Sequence, residues 1–345
     1  MPFLQTFGAG SVRGFDQGLV FAQQTATFNY TGSVQNWTVP ANTTSIYAYV
    51  FGAGGASTGD NNNTVGGAGG YTVGNINPIP GSTMKIIVGG AGGNGHQNNG
   101  GGGGYSAVAT PNWAGSNVST DHAAIILAAG GGAGCGDHEQ AGATKVFGGA
   151  GGGANGQTGG FGGQTRASLG SGGGGSQSAG GTYGGQAGGG NCTAGNSGAS
   201  CTGATLRGGT ACGAGEGTAG AGWPNQIYGG YWASPAGGNG CNGGAGGGGY
   251  YGGGGGGHSA TGTTNNSAAG GGGSGYTGGS GSYTTSNVGT FTGDENNVPS
   301  QATNSGYLSS GVSKGGEFNV TNASSGATHA GGHGKVVLVF IAPIS

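Results

Sequence analysis

The sequence predicts an all-β protein: a jelly-roll-like β-sandwich with an inserted bundle of polyglycine II helices and essentially no α-helix. Three observations lead there. Glycine makes up 100 of 345 residues, against roughly 7% in an average protein. Short apolar segments of strand length stand towards both ends of the chain, and glycine fills the middle. Nowhere do apolar residues recur at the 3.6 spacing of a helix, and glycine opposes helix throughout.

Each element follows from local pattern. Residues 1–22 are rich in small residues and read as an attachment arm. "TATFNY" and "TGSVQNWTVP" then read as strands, joined through a Thr-Gly turn at 31–32. In "SIYAYVFGAGG", Ile46, Ala48 and Val50 alternate with Tyr47, Tyr49 and Phe51. Both faces are apolar, so both are expected to be covered. "GYTVGNINPI" (70–79), "MKIIVGG" (84–90), "YSAVA" (105–109) and "AAIILAAGG" (123–131) continue the series. "KVVLVFIAP" (335–343) closes it. So apolar a final strand would aggregate if left alone, so it must return to the first ones.

The glycine-rich stretch runs from about 130 to 285, with earlier insertions at 52–70 and 89–104. Collagen is excluded, because glycine comes in runs and proline totals nine. A disordered linker is the other reading of such composition, and the flanking strands argue against it. Polyproline II geometry suits glycine, at three residues per turn and about 3.1 Å rise. Packed side by side, such helices can pair every N–H with a neighbour's C=O, provided no side chain holds them apart. "GGGGGG" (252–257) would then be an interior helix about 19 Å long. In "GGAGGGAN" (148–155), larger residues are expected to face outward.

Net charge is −2, which points to neither nucleic acid nor an anionic membrane as partner. No apolar run reaches the roughly 20 residues of a membrane span. No basic stretch leads into an apolar one at the N-terminus, so no secretory leader is expected. Asn-x-Ser/Thr sequons recur, for example at Asn36, Asn117 and Asn319. A virion protein, released by lysis, reconciles an extracellular composition with the lack of a leader.

The series "FNYTGSVQNWTVPANTTSIYAYVFGAGGA", "GGAGGYTVGNINPIPGSTMKIIVGGAGG", "GGGGGYSAV" and "GHGKVVLVF" resembles the glycine-rich domain of bacteriophage tail-fibre and tail-tip adhesin proteins. It is also similar to the glycine-rich domain of anaplastic lymphoma kinase receptors, where a jelly roll carries polyglycine helices. The resemblance covers residues 24–345. It implies a virion appendage that binds other tail proteins through residues 1–22 and a host glycan or protein through its loops, as a homo-oligomer. It is specific for fold and weakly specific for function. The chain departs from the receptor group in lacking a signal and a membrane span.

Candidate sites are few. "WPNQIYGGYWASP" (223–235) carries Trp223, Tyr228, Tyr231 and Trp232. Such rings offer flat apolar area with a polar handle, suited to a sugar or receptor loop, or equally to packing against the bundle. Cys192, Cys201, Cys212 and Cys241 cluster in the glycine region and could staple loops in an oxidising medium, with Cys135 left over. In a reducing cytosol they would be free thiols. "CGDHEQ" (135–140) holds ligand-type residues but matches no zinc spacing, so it reads as a loop tip with no metal. His329 and His333 in "HAGGH" likewise read as loop. The acids are scattered and only Asp294–Glu295 are adjacent, so no enzyme, cofactor or paired carboxylates are expected. Two other functions fit the same fold: a subunit of an extracellular filament or surface-matrix glycoprotein, and an ice-binding bundle. The last needs a regular Thr face, which the sequence lacks.

Overall fold

A computed structural model describes residues 19–58, 64–93, 100–113, 123–134, 146–161, 170–184, 208, 244–261, 264–295, 297–317 and 328–344. Two antiparallel sheets form a β-sandwich. The larger holds β1 (Phe21–Asn29), β16 (Lys335–Pro343), β3 (Ser45–Phe51), β6 (Tyr71–Ile76) and β14 (Thr285–Phe291), in that spatial order. The smaller runs β2 (Gln35–Thr38), β7 (Thr83–Ile87), β8 (Ser106–Ala109), β9 (Ala124–Ala128). The final strand does return, lying between β1 and β3. The sheet already includes Phe21 and Ala22, so of the expected arm residues 1–18 lie outside the described residues.

Ile46, Ile76 and Leu338 from the larger sheet meet Met84, Ile86 and Ile126 from the smaller, and all are essentially inaccessible. Burying each such side chain stabilises by roughly 1.5–3 kcal/mol. The outer faces are covered too. Over the larger sheet, a segment carrying the one short helix among the described residues, α1 (Ser300–Thr303), packs Ala302, Tyr307 and Leu308 against Phe51 and Tyr71. Over the smaller sheet, Tyr250 and Tyr276 cover Tyr105 and Leu127. This is why β3 is apolar on both sides.

Beside the sandwich, glycine-rich segments with neither helix nor ladder form a lattice of backbone hydrogen bonds. The bonding repeats every three residues. Gly52 and Gly55 donate to Gly70 and Gly67; Ala53 and Ala56 donate to Gly104 and Gly101; Gly54 donates to Gly332. Successive N–H groups thus address three different neighbours in turn. The tract 252–257 obeys the same rule: Gly253 and Gly256 donate to Gly247 and Gly244, while Gly254 and Gly257 donate to Gly173 and Gly170. The adjacent tyrosines occupy the turn on the sandwich side, with Tyr250 stacked on Tyr276 at 4.3 Å and edge-on to Tyr251.

Two expectations need correcting. The lattice is not confined to 130–285: the earlier insertions join it through 52–56, 66–70 and 100–104, and 313–316 and 331–334, which the sequence did not mark, join it too. Larger residues do not all turn outward: Ala53, Ala68, Ala133, Ala150 and Ala245 are fully buried within it. A methyl group fits wherever the lattice leaves a gap, and glycine is required only where a neighbour's backbone fills that gap.

Candidate functional site

The register of the lattice gives it a direction. Gly52, directly after β3, lies level with Gly70, directly before β6; further from the sheets, Gly66 donates to Gly316. Segment 129–134 leaves β9 the same way, with Gly70 donating to Ala129 and Gly67 to Gly132. The rule holds along the chain. Outgoing segments reach the far end at 58, 93, 134, 161, 184, 261 and 317, and return from it at 64, 100, 146, 170, 244, 264 and 328. The sandwich-side turns, such as 176–179 and 249–251, are short and fully described.

Small ladders fasten the far end. β4 (Ser57–Thr58) pairs with β15 (Thr328–His329), and β10 (Val146–Phe147) sits between β5 (Thr64–Val65) and β11 (Gly160–Phe161). β12 (His258–Thr261) and β13 (Thr264–Ser267) form a hairpin. Connections tied to a rigid support are where recognition residues are usually carried, so this end is the candidate site.

The sequence-nominated residues fall outside the described residues: Trp223, Tyr228, Tyr231 and Trp232, the cysteines Cys135, Cys192, Cys201, Cys212 and Cys241, and the 135–140 cluster. Of 185–243 only Gly208 is described, and it is buried; also described are the positions on either side from which the stretch departs. Gly184 donates to the Gly255 carbonyl at 2.9 Å, and Gly244 accepts from Gly256 at 2.8 Å. Both therefore flank the same glycine tract, at the far end.

The two histidines are better placed than a loop reading implies. His329 lies in β15, opposite Ser57. The His333 ring stacks on Tyr30 with centroids 4.3 Å apart, and its Nδ1 accepts the Ala91 N–H at 2.9 Å. Partial desolvation lowers the pKa of this imidazole, although the residue remains exposed at the surface. The contact ties the sandwich to the lattice, and glycines on either side of His333 gave no sequence signal for it. Asp294 and Glu295 form a tight turn closed by backbone bonds between Asp294 and Asn297.

Elsewhere the described surface offers little chemistry. A shallow cleft of about 350 Å³ is lined by Val298, Leu308, Val312 and Lys314, whose amine is paired with Glu317, and no described acid lines it. Among the described residues no three potential metal ligands cluster, and no helix is long and apolar enough to cross a membrane. No family model matches the chain, and no curated protein matches it.

Proposed function

We propose that the chain is a non-enzymatic virion protein, a phage tail-fibre or tail-tip adhesin that presents loops to a host-surface glycan or protein. One observation carries this reading: the outgoing and returning lattice segments open at the same end, opposite the sandwich. The three-residue bonding period supports a polyglycine II arrangement, as the resemblance to tail-tip adhesins implies. In that arrangement the backbone lattice holds the loop bases in fixed relation, which a recognition surface requires. Residues 1–18 precede a strand of the sandwich, so the arm would engage other tail proteins from the end opposite the loops.

Trp223 and Trp232 are the residues proposed to meet the receptor. Replacing both with alanine should lower adsorption to host cells while particle assembly and thermal stability stay nearly unchanged. Lost assembly, with adsorption per assembled particle intact, would make them packing residues and reject the adhesin reading. A filament or surface-matrix subunit is the second reading. The observation bearing on it is the uncharged, open edge of β1, which could join two subunits and so supply one of the two contacts a filament needs.

A further inference from the structure

Four strand edges bound the two sheets, and three of them are protected. β14 breaks register between Ser286 and Gly289, where Asn287 adopts a positive φ of 49°. Such bulges twist an edge away from partners. β2 is four residues long. The outer side of β9 is occupied, because Leu127 and Tyr276 exchange backbone bonds and Gly279 donates to Ile125.

β1 is different. It pairs with β16 over nine uninterrupted residue pairs, from Phe21↔Pro343 to Asn29↔Lys335, with no bulge. Its sequence, FAQQTATFN, has no charge, no proline and no glycine. Among the described residues no strand lies on its other side. Among the described residues only its last carbonyl is engaged there, by the Gln35 side chain donating to Asn29 at 2.9 Å. An exposed apolar corner adjoins it, formed by Leu19, Val20, Phe21, Ile341 and Ile344. Natural edges of this length usually carry a lysine, a proline or a bulge to prevent pairing, and this one carries none.

We infer that β1 is the docking edge for a second copy of this chain, pairing antiparallel with its own counterpart about a two-fold axis through Thr25. Three arguments select that occupant. The strand is uncharged, so two copies meet without repulsion, while a charged partner strand would find nothing to complement it. Centring on Thr25 pairs Phe21 with Asn29, Ala22 with Phe28, Gln23 with Thr27 and Gln24 with Ala26. Every pair joins residues of the same parity, so core-side and solvent-side faces match across the seam. The bulky Phe28 then meets the small Ala22. Finally, nine residues span about 30 Å, long enough for an unbroken ladder across the seam. The pairing is isologous and closes at two copies. It therefore predicts a dimer rather than an open filament, and holds whichever reading of function is right.

Sedimentation equilibrium of the full chain tests this, together with Thr25→Lys. The Thr25 side chain is exposed on the outer face, so lysine leaves the monomer fold intact, yet it sets two like charges opposite each other at the axis. The expected result is twice the chain mass for the wild type and the single mass for Thr25→Lys, with circular dichroism unchanged. Thr25→Cys should oxidise to a dimer whose linked peptide joins residue 25 to itself, since directly opposed Cα atoms lie about 4.5–5.5 Å apart. Gln23→Cys should link only when mixed with Thr27→Cys. A wild-type monomer at every concentration would overturn the proposal. So would a dimer whose mass survives Thr25→Lys, or one that depends on residues 1–18 and not on Thr25.

Discussion

Gly254 lies against Thr182 so closely that a Cβ added to the glycine would stand 2.0 Å from the threonine's carbonyl oxygen. The relationship is general in the lattice: a Cβ added to Gly132 would collide with the Gly270 carbonyl oxygen, and one added to Gly253 with that of Gly271. None of these glycines has a positive φ. They are required by the approach of a neighbouring backbone and not by an unusual conformation of their own. Gly254→Val should therefore destabilise by about 3 kcal/mol or more, since a side chain would force two hydrogen-bonded segments apart. Gly93→Ala is the matched control, because among the described residues a Cβ there meets nothing within 4 Å. Calorimetry should show a large fall in Tm for the first and little change for the second. Equal effects would mean that the close approach does not decide stability.

His333 gives the protein an acid-side sensitivity. Partial desolvation lowers its folded pKa below the unfolded value of about 6.5, and because the residue stays exposed the effect is expected to be small. The unfolded state then binds more protons between the two values, so stability rises with pH in that window. The contribution is fully present above the unfolded pKa and is lost as pH falls through the folded pKa. The geometry agrees, because an Nδ1 that accepts from Ala91 must be unprotonated. His333→Gln should flatten the change in Tm between pH 7 and pH 5, and an unchanged pH profile would remove His333 as its source.

Leu338 reports on the sandwich. It is fully buried between the sheets, on the strand that joins β1 to β3. Leu338→Ala should cost roughly 2–5 kcal/mol, seen as a lowered midpoint in denaturant unfolding. A milder outcome would mean that the lattice, not the sandwich core, limits stability.

These positions also mark what sequence could and could not disclose. Ile46, Ala48 and Val50 against Tyr47, Tyr49 and Phe51 announced a strand covered on both faces, and "KVVLVFIAP" announced a strand that had to be enclosed. β14 was missed because TSNVGTF is largely polar and sits at an edge, where burial writes no alternating pattern. The short ladders at the far end are too brief for periodicity to register. Glycine is the deeper obstacle: without a side chain, nothing in Gly252–Gly257 marks which neighbour each N–H addresses. The buried Ala150 shows the same limit, since its environment is set by segments distant in sequence. For the candidate site, the rings at 223–235 were legible as chemistry. That 184 and 244 stand together at one end required the three-dimensional register.

That last relationship supports a deletion experiment. Gly184 donates to Gly255, and Gly256 donates to Gly244. The two ends of 185–243 thus border adjacent residues of one tract, and a linker of about six glycine and serine residues can join them. Loop-closure entropy changes by only about 0.6 kcal/mol per doubling of loop length. Shortening this connection by roughly three doublings does not itself cost stability, so any loss would come from removing packing such as that of the buried Gly208. The expected protein keeps its Tm and its β-rich circular dichroism and loses host adsorption, because the aromatic residues of 223–235 are gone. Adsorption that survives the deletion would assign recognition to other far-end connections. A collapse of Tm would place 185–243 inside the folded core and end the idea that the lattice stands without it.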